Sequence, residues 1–247
     1  EGNDWTVNNL TADDQMLDTP TNNFCTLNPL AKLADKVLSE GNLRLDHDTG
    51  GQEGGARGTM EMFDGSYHEV LSISTGASAR YPKVGIIEVN NVANIYHNCG
   101  ATIMADGSAS SAAAIHCGGG TPGISLNGTP TTPSYTDGDI IGVFYKNNKV
   151  YFAKNNVLMN SADLDAETGH VFVVASGYKI TQLTHIYDAD YALNFGQDSS
   201  FAGQKTSGSA AASDSNDIGD FYYEPPAGFL ALCTSNLPAV AVVPSEH

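Results

Sequence analysis

The octet Phe144-Tyr145-Lys146-Asn147-Asn148-Lys149-Val150-Tyr151 constrains the fold of this 247-residue chain more than any other stretch. Apolar side chains alternate with polar ones on either side of an Asn-Asn pair, and asparagine tolerates the left-handed backbone that a tight reversal needs. The octet predicts a β-hairpin. The same period of two recurs in Tyr67–Ile73, Val84–Val89, Ile140–Tyr145, Lys149–Ala153 and Val171–Ala175, which all read as strands. Asp137-Gly138-Asp139 supplies a further turn just before the hairpin.

Helical spacing is scarce. Only Leu27–Leu38 carries leucines at such a spacing, with Pro29 suited to a first turn, and the segment reads equally as an extended edge. Three stretches read as surface loops on their Gly, Ser, Ala and Asp content: Asp46–Gly58, Ala105–Ala114 and Gly203–Asp220. No internal repeat is visible, and nothing in the middle reads as a linker between two cores. Many short strands, in a chain with 26 Gly and only 16% charged residues, predict a single all-β domain, an antiparallel two-sheet sandwich with long surface loops.

Acidic residues outnumber basic ones by 28 to 11, giving a formal charge of −17. A field of that sign repels phosphate backbones and anionic membrane surfaces, which argues against nucleic-acid binding. It suits a salty habitat, where screening over about 8 Å or less weakens self-repulsion. There is no run of about 18 apolar residues, so no membrane helix is predicted. The chain opens at Glu1 without an initiator Met or a leader, and is expected to be processed or cut from a longer protein.

Four cysteines, Cys25, Cys99, Cys117 and Cys233, permit three disulfide connectivities. Strands from the two ends of a sandwich often lie side by side, which favours Cys25 with Cys233 and Cys99 with Cys117. Four reduced, buried thiols are the alternative, since free cysteine behaves as a small hydrophobe.

The block Tyr135-Thr136-Asp137-Gly138-Asp139-Ile140-Ile141-Gly142-Val143, followed by the hairpin and by Val150-Tyr151-Phe152-Ala153-Lys154-Asn155-Asn156, resembles the SPRY (B30.2-like) family. So do Gly65-Ser66-Tyr67-His68-Glu69-Val70, Val84-Gly85-Ile86, and Asn194-Phe195-Gly196-Gln197 with Phe201. Asn156 stands where that pattern has Gly, a change that αL-tolerant asparagine absorbs. The ends, Asn3–Leu10, Asp18–Asn22, Cys25–Leu30 and Tyr223–Pro238, look like SPRY-containing virion proteins of aquatic bacteriophages. The resemblance implies a concanavalin/SPRY-like, jelly-roll type sandwich that binds through loops at one rim and has no shared catalytic residues. On it, residues 1–45 are an N-terminal strand and edge segment, 60–201 the core, 203–220 a flexible insertion and 221–247 a C-terminal strand and tail.

Several constellations carry competing readings. Asp163, Asp165 and Glu167 alternate on one strand face like the carboxylates of concanavalin-like glycoside hydrolases, which work as a pair about 5 Å apart, but turn-like residues on both sides favour a solvated loop. Tyr96-His97-Asn98-Cys99 and Ile115-His116-Cys117 offer two His and two Cys for zinc, without the usual ligand gap. Asp46-His47-Asp48-Thr49-Gly50 and the cluster Asp214, Asn216, Asp217 and Asp220 are candidate calcium loops, the first lacking the EF-hand glutamate. Trp5 reads as a pin for the first segment. No nucleophile elbow, phosphate loop or His-Glu-x-x-His helix occurs.

The expectation is therefore a non-enzymatic virion or extracellular module, for capsid decoration, a tail fibre or host attachment, with no cofactor apart from calcium at acidic loops. Its partners are other virion or appendage proteins, further copies of itself, or a surface glycan. Tyr81, Tyr96, His97, Tyr135, Tyr178 and Tyr187, near predicted strand ends, are candidate rim contacts, because Tyr offers rigid amphipathic area; some instead cap the core. A bacterial adhesin or filament subunit, and a hydrolase using Asp163, Asp165 and Glu167, are the alternatives.

Overall fold

The structure is a computed structural model that describes residues 17, 19–47, 54–74, 83–89, 112–116, 123–126, 129–131, 135–159, 172–173, 179–186, 188–206 and 212–238. Within them the chain forms two large antiparallel sheets. The first runs β1 (Leu27–Lys32), β4 (Gly54–Gly58), β14 (Ile180–Ile186), β6 (Lys83–Glu88), β7 (Ala112–His116), β8 (Gly123–Leu126) and β9 (Thr129–Thr131). The second runs β12 (Val157–Leu158), β11 (Lys149–Lys154), β10 (Ile140–Lys146), β5 (Ser66–Ser74), β15 (Asp190–Asn194), β3 (Arg44–His47) and β2 (Lys36–Ser39). Two short strands join it from the side, β13 (Phe172–Val173) on β11 and β18 (Leu230–Ala231), parallel, on β5. A separate ribbon pairs β16 (Ala212–Ser213) with β17 (Asp220–Phe221).

Alternation decides what lies between the sheets. Ala56, Val84, Ile86, Ile180 and Ile186 from the first sheet meet Leu45, Val70, Ile141, Val143, Phe152 and Leu193 from the second in one buried cluster. The intervening residues of β5, β10 and β11 face outward and are covered too. Phe221, Phe229, Ala231 and Cys233 lie over Tyr67, Phe144, Tyr151 and Ala153, and Phe201, Tyr222 and Tyr223 lie over Leu71, Ile140 and Ala192. The C-terminal segment thus seals the outer face of the second sheet, with Phe144 edge-on to Phe229 at 5.3 Å.

The hairpin forms in the register read from sequence, Lys146 opposite Lys149, with Asn147 and Asn148 at φ 53° and 58°. Leu27–Leu38 takes the extended alternative, as the edges β1 and β2. Edge strands invite foreign pairing, and here the Lys32 ammonium donates to the carbonyl of Lys36 at 2.7 Å, occupying an acceptor of β2.

Three loop expectations need correction. Asp46–Gly58 contains the end of β3 and all of β4, a strand held between β1 and β14. Its glycines serve packing, since a Cβ at Gly55 would come within 2.2 Å of the Thr184 carbonyl oxygen. Ala112–Ala114, expected in a loop, belong to β7. The 203–220 stretch is tied down at its far end by the β16–β17 ribbon and by Asp214, which is 3% exposed. One Asp214 carboxylate oxygen accepts the N–H of Ile218 and Gly219, and the other that of Ala231.

Candidate functional site: a groove at the hairpin end of the sandwich

The ends of β4 and β10 and the starts of β5 and β14 converge at one end of the sandwich, and residues 59–65 run across it between β4 and β5. Hydrogen bonds pin this crossing segment to both sheets. Thr59 N–H donates to the Thr26 carbonyl at 2.8 Å, the Thr181 hydroxyl to the Met60 carbonyl at 2.6 Å, and Met62 N–H to the Ile180 carbonyl at 2.8 Å. On the other side Gly65 N–H donates to the Tyr145 carbonyl at 2.8 Å, and Asn147 N–H to the Asp64 carboxylate. Gly65 sits at φ 88°, where the Asp64-Gly65 turn needs a residue without a Cβ.

Between this segment, the hairpin turn and the chain at 237–238 lies a groove of about 910 Å³. Met60, Leu237 and Pro238 give it apolar wall, and Glu61, Asp64, Asn147, Asn148 and Lys179 polar wall. Met62, Phe63 and Tyr145 are nearly buried and form its floor. Lys179 pairs with Glu61 at 2.9 Å, and the Tyr145 hydroxyl donates to Asn148 Oδ1 at 3.2 Å. Burial pushes the Tyr145 phenol above its ordinary range, and the charges of Asp64 and Glu61 push it the same way.

A second polar centre is wholly internal. Glu69 on β5 is 0% exposed, and its carboxylate accepts from the Tyr67 hydroxyl at 3.1 Å, Asn194 Nδ2 at 3.2 Å, and the N–H groups of Tyr222 and Tyr223, both at 2.9 Å. It is the clamp that holds the C-terminal cover on the sheet. Burial pushes the Glu69 carboxyl up to about 7 against the opposing pull of those donors. Its neighbour His68 faces the other way, into the sandwich, 0% exposed beside the Phe195 ring at 5.1 Å, and burial lowers it to about 3. Both side chains are fully buried.

Of the residues singled out in the sequence, Tyr135 is in the core. Its ring is 1% exposed and its hydroxyl shares a 2.8 Å hydrogen bond with that of Tyr191, so it offers no contact area at a rim. Tyr81, Tyr96, His97, Tyr178, Tyr187, Cys99, Cys117 and Trp5 lie outside the described residues, as do Asp163, Asp165 and Glu167. Cys25 and Cys233 are free and buried, which corrects the proposed pairing between them. The two chain segments are neighbours, as expected, but Phe24 stands opposite Cys233 and the Cys25 N–H bonds the Leu232 carbonyl at 2.9 Å. Alternation then sends the two thiols to opposite faces, Cys25 into the sandwich and Cys233 under the outer cover. Among the described residues no three His, Cys, Asp or Glu side chains gather where they could hold a metal. Asp214 spends both oxygens on backbone donors, and Asp220 accepts from the Ser199 hydroxyl at 2.9 Å.

Two turn signals touch the groove, Asn147-Asn148 and Asp64-Gly65, and neither tells what the turn borders.

No family model and no curated protein matches the chain. Among solved structures, the TRIM65 PSpry domain is similar at 12% identity over 69% of this chain and 90% of that domain, with a TM-score of 0.48. The SPRY domain of human HERC1 is similar at 14% identity over 68% and 96%, with a TM-score of 0.45. Stonustoxin is similar at 14% identity over 69% of this chain and 27% of its own, with a TM-score of 0.49. The likeness is one of fold, and the fold itself is read from the two sheets: an all-β, antiparallel sandwich.

Proposed function

We propose that the chain is a non-enzymatic recognition and assembly module of a virus particle or extracellular appendage, and that the groove at its hairpin end holds a partner protein. One observation carries this reading: a concave surface of mixed apolar and polar character is built on a segment that five hydrogen bonds anchor to the strands around it. A preformed site of this kind loses little entropy on binding, because the loop is already ordered. The particle assignment is supported by the sequence alone, through the opening and closing blocks that look like virion proteins. Many copies on one particle would raise a modest affinity per groove to stable attachment.

The test is quantitative mass spectrometry of particles purified from the organism that encodes the chain. A particle component is expected at fixed stoichiometry, and Leu237→Asp is expected to lower its incorporation. Absence from particles contradicts the virion reading, and recovery from cell-surface filaments would assign the module to an appendage instead.

A further inference from the structure

We infer that the occupant of this groove is a short cationic and apolar protein segment, a Lys or Arg side chain taken by Asp64 and Glu61 with an adjacent apolar side chain on Met60, Leu237 and Pro238. The inference rests on the proposed function and names the chemistry of its partner.

Charge selects the first half of that description. Among the described residues the groove wall holds two carboxylates and one ammonium. Glu61 gives Oε2 to Lys179, and Asp64 gives Oδ1 to the Asn147 N–H; among the described residues the second oxygen of each has no protein partner. The Lys179–Glu61 pair is open to solvent, with side chains 64% and 43% exposed, so a competing cation meets little desolvation cost there. The balance in the groove is negative, and the whole molecule, at −17, adds a field of the same sign that draws a basic partner in and turns an acidic one away.

Apolar surface selects the second half. Met60 and Pro238 stand at the wall, and Leu237 is 41% exposed on a side where a leucine gains nothing from water. A volume of about 910 Å³ lies near the top of the roughly 300–1,000 Å³ range of ligand pockets, which suits a few residues of chain. A sugar fits less well. Carbohydrate sites commonly offer an aromatic face, and among the described residues the rings at this groove, Phe63 and Tyr145, are 8% and 7% exposed. Phosphate and nucleic acid meet the wrong charge.

The test uses the whole ¹⁵N-labelled chain and two probes, the peptides acetyl-Gly-Leu-Arg-Val-Gly-amide and acetyl-Gly-Leu-Glu-Val-Gly-amide. The basic peptide is expected to shift the amide signals of residues 59–64, 147–148 and 237, to bind about tenfold more tightly than the acidic one, and to weaken as salt rises. Asp64→Asn keeps an oxygen for the Asn147 N–H while removing the charge, and is expected to cost about fivefold in affinity. Equal binding of the two peptides, shifts confined to other surfaces, or no binding of either up to about 5 mM, an affinity weaker than about −3 kcal/mol, overturns the inference. Particle incorporation separates its failure from that of the parent reading. If Leu237→Asp blocks incorporation and Asp64→Asn does not, the groove stands and the cation falls; if neither variant matters, both fall.

Discussion

Cys25 and Cys233 belong to adjoining segments and yet point opposite ways, Cys25 into the sandwich and Cys233 under the outer cover, because Phe24, one residue earlier, is the partner that stands across from Cys233. Burial pushes the Cys25 thiol up to about 11, so little thiolate is available even to a reagent that reaches it. Both thiols are expected to resist iodoacetamide in the native chain and to react fully in denaturant without reductant. A peptide linking residues 25 and 233, recovered after oxidation of the folded protein, would show the register to be wrong.

Glu69 joins parts of the chain about 150 residues apart in sequence through its bonds to Tyr222 and Tyr223. Replacing its carboxylate leaves buried donors without an acceptor, the costly half of any hydrogen-bond deletion. Glu69→Gln is expected to lower stability by about 2–4 kcal/mol in urea titration and to speed amide exchange at 222 and 223 before the rest of the sheet opens. Unchanged exchange at those two amides would mean that Glu69 does not hold the cover.

His68 and Glu69 give opposite responses to acid. The folded state keeps His68 neutral down to about 3 against an ordinary value of 6.5, so stability is full above 6.5 and falls as pH drops through that window, by about 1.4 kcal/mol per unit. Glu69, raised from 4.5 to about 7, favours the folded state below 4.5 and loses that contribution as pH rises toward 7. Between 6.5 and 4.5 the two slopes largely cancel, and below 4.5 the histidine acts alone. His68→Leu removes one slope: relative to the parent it is expected to gain about 2 kcal/mol between pH 7 and pH 5. A parallel pair of stability curves would place His68 in contact with water.

Asn156 holds φ 65°, a conformation that costs a β-branched residue far more than asparagine or glycine. Asn156→Gly is expected to leave the melting temperature within about 3 °C of the parent, and Asn156→Val to lower stability by about 1–2 kcal/mol. An equal loss from both would locate the effect in the side chain and not in the backbone.

The second sheet was largely legible in sequence, because β5, β10 and β11 alternate cleanly and Asn147-Asn148 fixes the register of β10 with β11. β4 was not: Gly54-Gly55-Ala56-Arg57-Gly58 has the composition of a loop, and only its neighbours Leu33 and Thr184, pressed against the glycines, reveal why a strand there must lack side chains. Tyr135 lies in the chain leading into β10, and sequence carries no sign of the Tyr191 hydroxyl that shares its buried hydrogen bond. The groove was invisible for a related reason. It is assembled from residues 59–64, 147–148, 179 and 237–238, and no local pattern records that these meet.

The most direct test of the groove as the recognition surface is site-specific photo-crosslinking on purified particles. A crosslinking side chain in place of Leu237 is compared with one in place of Gln204, an exposed residue beside Lys205, which bonds the Gly138 carbonyl at the opposite end of β10. Leu237 is expected to yield one dominant adduct with a particle protein, mapped to a segment bearing Lys or Arg, and Gln204 none. Adducts from Gln204 alone, or equal capture from both positions, would contradict the assignment of recognition to this end of the sandwich.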